Sequence, residues 1–435
     1  MITKIKKINI FTNDEKYIEN GFVLFDEKEI IDLGKDDSDF ECDIEIDGNG
    51  KLLIPGLINC HTHIYSTLSR GIPLSPFNPK SFTQILEQLW WKLDKKLLLE
   101  DISISSFIYA IESLKAGVTT IFDHNSSPLE IEGSLQKIFS GVNEIGLRCS
   151  TCFEVSDRDG KSRAIEEIEE NAAYIGKDND MKSVMMGLHA SFTLSDKTLK
   201  RVASVKDIPI HVHIAEGPED EEMCKDKYEK RILERFKKFK LTRENSIYAH
   251  CIRINEKEME IIKKTGGYIA INAQSNINNG VGISYWPKFA KYGIPVVIGN
   301  DGYGSNLSHD IRFFILTPHE KKGKATVSSA FDLKNTLFNN NYSLAKKMFG
   351  VKLGKIKKGY KADFSLIEYD APTPINDENF LNHFFFGVIE NLNVKDVFIN
   401  GKKVLIGGVP VSVNSDELYS ESRKISKKLW ERFGG

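Results

Sequence analysis

Two histidines offer the clearest chemistry in this sequence. His61 and His63 close the run Leu-Leu-Ile-Pro-Gly-Leu-Ile-Asn-Cys-His-Thr-His at 52–63, with Thr62 between them. In a β-strand, alternate residues point to the same face, so the two imidazoles would project side by side from one strand end. Imidazoles so placed can bind one borderline metal such as Zn²⁺ or Fe²⁺. A single pair is weak evidence, because such spacing arises often by chance. A metal centre needs further ligands and an acid/base group from comparable strand ends.

The chain supplies such ends repeatedly. Short β-branched runs are expected at Leu57–Cys60, Thr119–Asp123, Arg148–Glu154, Val184–His189, Ile210–Ala215, Ser246–His250, Tyr268–Asn272 and Pro295–Gly299. Amphipathic helical stretches such as 99–116, 162–175, 220–239 and 256–264 separate them. Strands alternating with helices predict parallel βα units, and eight of them predict a closed (β/α)₈ TIM barrel in the α/β class. Chemistry in such a barrel sits at the C-terminal strand ends. His61, His63, His124, His189, His211, His213 and His250 fall there, seven of the 10 histidines, together with Asp123, Glu216 and Asp301. That concentration turns the metal reading from weak to strong. The long gap after the first strand holds Trp90 and Trp91 and predicts an extra helix over the barrel mouth.

The two ends of the chain read differently. Residues 1–54 and 350–410 are strand-rich, with an Asn-Gly hairpin signal at Asn400-Gly401. They predict one small β-sandwich built from both segments, flanking a barrel over 55–349, with a C-terminal helix over 411–435. A formal net charge of -2 points to neither a nucleic-acid nor an anionic-membrane partner. No apolar run approaches the roughly 18 residues of a membrane span, and the N-terminus lacks a secretory pattern. A cytoplasmic protein is expected. The scattered cysteines fit reduced thiols, and Cys149 and Cys152 lack the second pair that a four-thiolate zinc site needs.

Taken together, Pro55–His63, His211-Val212-His213-Ile214-Ala215-Glu216, His250 and Gly299-Asn300-Asp301-Gly302 resemble the amidohydrolase superfamily, in its cytosine/guanine-deaminase and triazine-hydrolase branch. Ser66–Gly71, Leu89–Asp94 and Ser275–Asn279 are similar to the group of aminohydrolases called SsnA. The resemblance implies one divalent metal, Zn²⁺ or Fe²⁺, held by His61, His63, His213 and Asp301. It makes Glu216, three residues after His213, the acid/base group, and places His250 beside the reacting oxygen. Binuclear relatives carry a modified lysine where this chain has His189, which implies a single metal. His189, Arg70 and Trp91 are expected to contact substrate. Asn300 stands where the family usually has Thr, and 271–274 departs from the usual seventh strand end.

The implied reaction is hydrolytic deamination of an amino-substituted N-heterocycle such as a purine or pyrimidine. Metal-activated water attacks the amidine carbon, Asp301 takes up its proton, and Glu216 protonates first a ring nitrogen and then the departing amine. The alternatives are hydrolytic loss of chloride or an alkylamine from a ring, and a non-catalytic scaffold. Retention of Glu216 favours an amine leaving group, and the full ligand set disfavours a scaffold. A small heterocyclic substrate and a homo-oligomer, dimer or higher, complete the expectations.

Overall fold

In the computed structural model, residues 1–14, 16–35, 40–205 and 208–434 are described. Eight parallel strands form the barrel: β1 (Leu57–Thr62), β2 (Val118–Asp123), β3 (Arg148–Thr151), β4 (Met186–Ala190), β5 (Ile210–Ile214), β6 (Ile247–His250), β7 (Tyr268–Ile271) and β8 (Val296–Ile298). Nearly every residue in them is buried, as expected of a parallel sheet covered by helices on one side and filled by side chains on the other. The ring closes where β8 meets β1. The Asn300 and Asp301 backbone N–H groups both donate to the His61 carbonyl at 3.0 Å, and Thr62 bridges to Asp301. A Cβ at Gly299 would lie 2.7 Å from that same carbonyl oxygen, so only glycine permits this closure.

The third and fourth strands differ from their expected extents. Regular pairing in β3 stops at Thr151, three residues short of Glu154. The fourth strand is split, with Lys182–Val184 pairing β3 and Met186–Ala190 pairing β5. Beyond Thr151 the chain continues through isolated bridges, Asn125 to Phe153 and Val155 to Leu188. Gly187 makes this possible, since a Cβ there would stand 2.3 Å from the Phe153 carbonyl oxygen.

The terminal segments build one nine-stranded sheet. Leu52–Pro55 runs parallel to Thr3–Phe11 and antiparallel to Phe364–Ile367, joining the two ends of the chain. The sheet curls over a core of its own. Phe25 meets Phe364 and Phe398 edge-on, with centroids 5.1 and 5.2 Å apart, beside Ile5, Val23 and Leu53. The Asn-Gly turn is present, with both residues at positive φ (50° and 73°), the backbone a tight hairpin requires. The final helix, Ser415–Gly434, lies on the helix Leu99–Lys115 and donates from the Trp430 indole to the Leu68 carbonyl at 2.8 Å. Over the barrel mouth runs a helical stretch from Phe82 to Asp94, widened into a π-turn over Leu86–Trp90. Among the described residues no helix is long and apolar enough to cross a membrane.

Arg148, fully buried at the start of β3, ties the barrel to the sheet. Its guanidinium pairs with the Asp363 carboxylate and donates to Asn400 Oδ1 at 2.9 Å. Removing it would leave Asp363 buried and unpaired. Arg148→Met is therefore expected to cost about 3–5 kcal/mol in urea unfolding. A loss below about 1 kcal/mol would show that the pair does not fasten the two parts.

Candidate active site

Four ligand-type atoms converge where β1, β5 and β8 end. One nitrogen each from His61, His63 and His213 and one oxygen from Asp301 lie within 4.8 Å of one another. Their orientation is fixed from behind. The ring Nδ1 of His63 faces the His124 carbonyl at 2.7 Å, and that of His213 faces the His189 carbonyl at 2.8 Å. A carbonyl can only accept, so both Nδ1 atoms carry protons. In neutral rings both Nε2 atoms are then lone pairs, and they point at each other across 3.1 Å. His61 Nδ1 contacts His211 Nε2 at 2.7 Å, while its own Nε2 is buried without a hydrogen-bond partner, 3.3 Å from Asp301 Oδ1. Lone pairs held face to face with a carboxylate between them are stabilised by a cation, and three nitrogens with one oxygen suit a divalent ion that takes an exchangeable water as a fifth ligand.

The electrostatics agree. Burial lowers the pKa of His61 to about 3 and holds His211 and His213 well below the usual imidazole value. Burial also disfavours charge on His63, but its hydrogen bond to Asp301 outweighs this and raises it to about 9. Burial opposes ionisation of Asp301 as well, yet the imidazoles of His61 and His63 keep it well below the carboxylate range. Without metal, one proton therefore sits between His63 and Asp301.

Beside this cluster lies a second one. Glu216, His250 and Asp301 offer atoms within 4.8 Å of one another. Burial, reinforced by the Asp301 charge, pushes the Glu216 carboxyl well above its usual value. His250 Nδ1 contacts Asn276 Oδ1 at 2.7 Å, so Nδ1 bears the proton. The Nε2 lone pair is left 3.5 Å from Glu216 Oε2. Ala215, His250 and Asp301 all adopt positive φ (49°, 70° and 60°), a backbone that costs such residues energy and recurs at functional sites.

These groups open into a cavity of about 880 Å³, counting its open mouth, which falls in the range of small-ligand sites. His189 and Trp91 line it. Arg70 does not. Its side chain is largely exposed and forms a paired contact with Glu112, 2.9 Å to each carboxylate oxygen. Sequence reasoning missed Asp94, Glu154 and Arg158, which line the cavity wall. Glu154 could have been found, because it ends the expected third strand. Asp94 closes the Leu89–Asp94 stretch, where the two tryptophans and not the carboxylate draw notice, and Arg158 sits on a loop with no local pattern to mark it.

Residues 52–404 match the amidohydrolase family. The chain belongs to that family. It is 30% identical over 400 residues to a 5'-deoxyadenosine deaminase of Methanocaldococcus jannaschii, covering 88% of this chain and 90% of the relative. It is 28% identical to a 5-methylthioadenosine/S-adenosylhomocysteine deaminase of Halothermothrix orenii, over 98% and 99% of the two chains. Among solved structures it superposes on an adenosine deaminase of Xanthomonas campestris with bound zinc (TM-score 0.83, 18% identity, 98% of both chains). It also superposes on a guanine deaminase of C. acetobutylicum (TM-score 0.77, 18% identity, 93% of this chain and 100% of the other). These neighbours share its fold, and the hydrolytic deamination expected from the sequence is the activity named for its curated relatives.

A divalent ion must displace the proton shared by His63 and Asp301. Below about pH 9 His63 is charged in the metal-free protein, so binding releases a proton and affinity should rise with pH up to that point. Calorimetry at pH 7 in buffers of different ionisation enthalpy should report about one proton released per ion bound. No release would contradict the arrangement.

Proposed function

We propose that this amidohydrolase is a metal-dependent deaminase that removes the amino group of an adenosine-type heterocycle, with zinc held by His61, His63, His213 and Asp301. The observation that carries this reading is the Glu216–His250–Asp301 cluster directly beside the ligand set. A divalent ion there would supply Lewis acidity and an activated water. The deaminase names of relatives that match nearly end to end support the substrate class.

The residues of the chain divide the proton work. Glu216 starts protonated because it is buried beside Asp301, so it can donate to a ring nitrogen and make the neighbouring amidine carbon electrophilic. His250, with Nδ1–H committed to Asn276, presents Nε2 as an acceptor for a proton of the attacking water. Beside the reacting oxygen, His250 can donate a hydrogen bond from Nε2 only after taking that proton. Asp301, already ionised, is the second acceptor. As the water oxygen bonds to carbon, its protons pass to these groups. Glu216 recovers one and delivers it to the amine, the C–N bond breaks, and ammonia leaves. Trp91 and Phe192 offer flat apolar faces to a planar ring, with His189 between the ring and Glu154.

Glu216→Gln keeps the shape and the hydrogen-bonding capacity but cannot carry a proton. Its metal content should match the native protein, and its kcat on adenosine or 5'-deoxyadenosine should fall by about 10²–10⁴. Near-native turnover with metal retained would refute the proton relay.

A further inference from the structure

Ser275 and Asn279 exchange no proton in the reaction, yet they touch two groups that do. Ser275 lies in the six-residue helix Ala273–Asn278, and Asn279 directly follows it. This helix comes after β7, which pairs with β6 on one side and β8 on the other. From that position it reaches groups at both neighbouring strand ends.

Asp301 turns Oδ1 to the histidines, 3.3 Å from His61 and 3.0 Å from His63. Its other oxygen, Oδ2, lies 2.5 Å from Ser275 Oγ. An ionised carboxylate can only accept, so the hydroxyl donates. The same hydroxyl accepts from Asn279 Nδ2 at 3.3 Å. Residues four apart share one helix face, and both Ser275 and Asn279 line the cavity. Asn279 also reaches Glu216. Burial pushes that carboxyl up, and a hydrogen bond from the Asn279 side chain opposes the shift. Between the two, Asn276 holds His250 by Nδ1. One short helical segment therefore touches Glu216, His250 and Asp301, whose ligand-type atoms lie within 4.8 Å of one another. Two carboxyls so close repel when both are ionised, and each keeps its orientation only if it is tethered.

We propose that Ser275 and Asn279 are positioning residues for deamination: Ser275 locks the Asp301 carboxylate with Oδ1 toward the ligand set, Asn279 aims the Glu216 carboxyl, and the bond between them makes the two tethers one unit. This rests on the deaminase reading and extends it to side chains outside the proton transfers themselves. Held at both oxygens, Asp301 cannot rotate away from the histidines as charge moves during the reaction.

The test compares the native full chain with Ser275→Ala, Asn279→Ala and the double variant, all zinc-loaded. It measures steady-state deamination of adenosine and 5'-deoxyadenosine, and zinc affinity by competition with a chelator. Loss of a hydrogen bond to a carboxyl at the reacting centre should lower kcat by about 10–100-fold in each single variant. KM should change by less than about threefold. Zinc affinity separates the two residues: it should fall by about tenfold or more in Ser275→Ala, whose hydroxyl holds a ligand carboxylate, and stay near native in Asn279→Ala. The double variant should fall below the worse single variant by no more than about threefold, because linked groups act as a unit. Asn279 is partly exposed at the helix end, so its replacement tests the account even where Ser275→Ala does not fold. Near-native kcat in a folded single variant, or a loss carried by KM alone, overturns the positioning role and leaves the deaminase reading in place. So does native zinc affinity in Ser275→Ala. A native protein that holds zinc and deaminates neither nucleoside overturns the deaminase reading and this proposal with it.

Discussion

The repulsion among buried lone pairs at the barrel mouth is the constraint on which the site depends. Three imidazoles and a carboxylate are held together by bonds made behind them, to the His124 and His189 carbonyls and to His211. Each of those supports belongs to a different βα unit, so the arrangement exists only while the barrel is closed. The bonds from Asn300 and Asp301 to the His61 carbonyl therefore both close the ring and set the distance from Asp301 to the histidines. A cation relieves the repulsion. Burial lowers His61, whereas the hydrogen bond and charge of Asp301 outweigh burial at His63 and raise it, so a proton on His63 does so in part without the ion.

Around that centre the protein sorts its other acidic groups by environment. Glu216 is buried beside an ionised carboxylate and keeps its proton. Glu154 is equally buried, but His189 and Arg158 hold it well below the usual carboxylate value against the effect of burial. Asp94, with Arg158 on one oxygen only, is raised by burial to about 7. One cavity thus carries a protonated carboxyl at Glu216 and an ionised one at Glu154, both close to the ligand set.

The sequence made much of this legible, for a physical reason. Parallel strands covered on both sides read as continuous apolar runs, and polar residues can appear only where those runs end. His61, His63, His213, Glu216, His250 and Asp301 were visible for that reason. The shortened third strand and the divided fourth were not, because their geometry depends on a close approach at Gly187 that no periodicity announces. Arg70 follows the histidine strand closely but turns to Glu112, on a helix 42 residues further along, and nothing local encodes that choice. Asp94 and Arg158 meet only because the mouth helix lies over the loop after the third strand. The single curled sheet of the termini was legible as strands, but its order was not, since Leu52–Pro55 pairs with partners from both ends of the chain.

The central claim is that these four side chains hold one divalent ion. Its most direct test is elemental analysis of the native protein and of His213→Ala after zinc loading and desalting. The account predicts close to one ion per native chain and nearly none in the variant, with the variant still folded by circular dichroism. Equal metal in both proteins, or two ions per native chain, would contradict it.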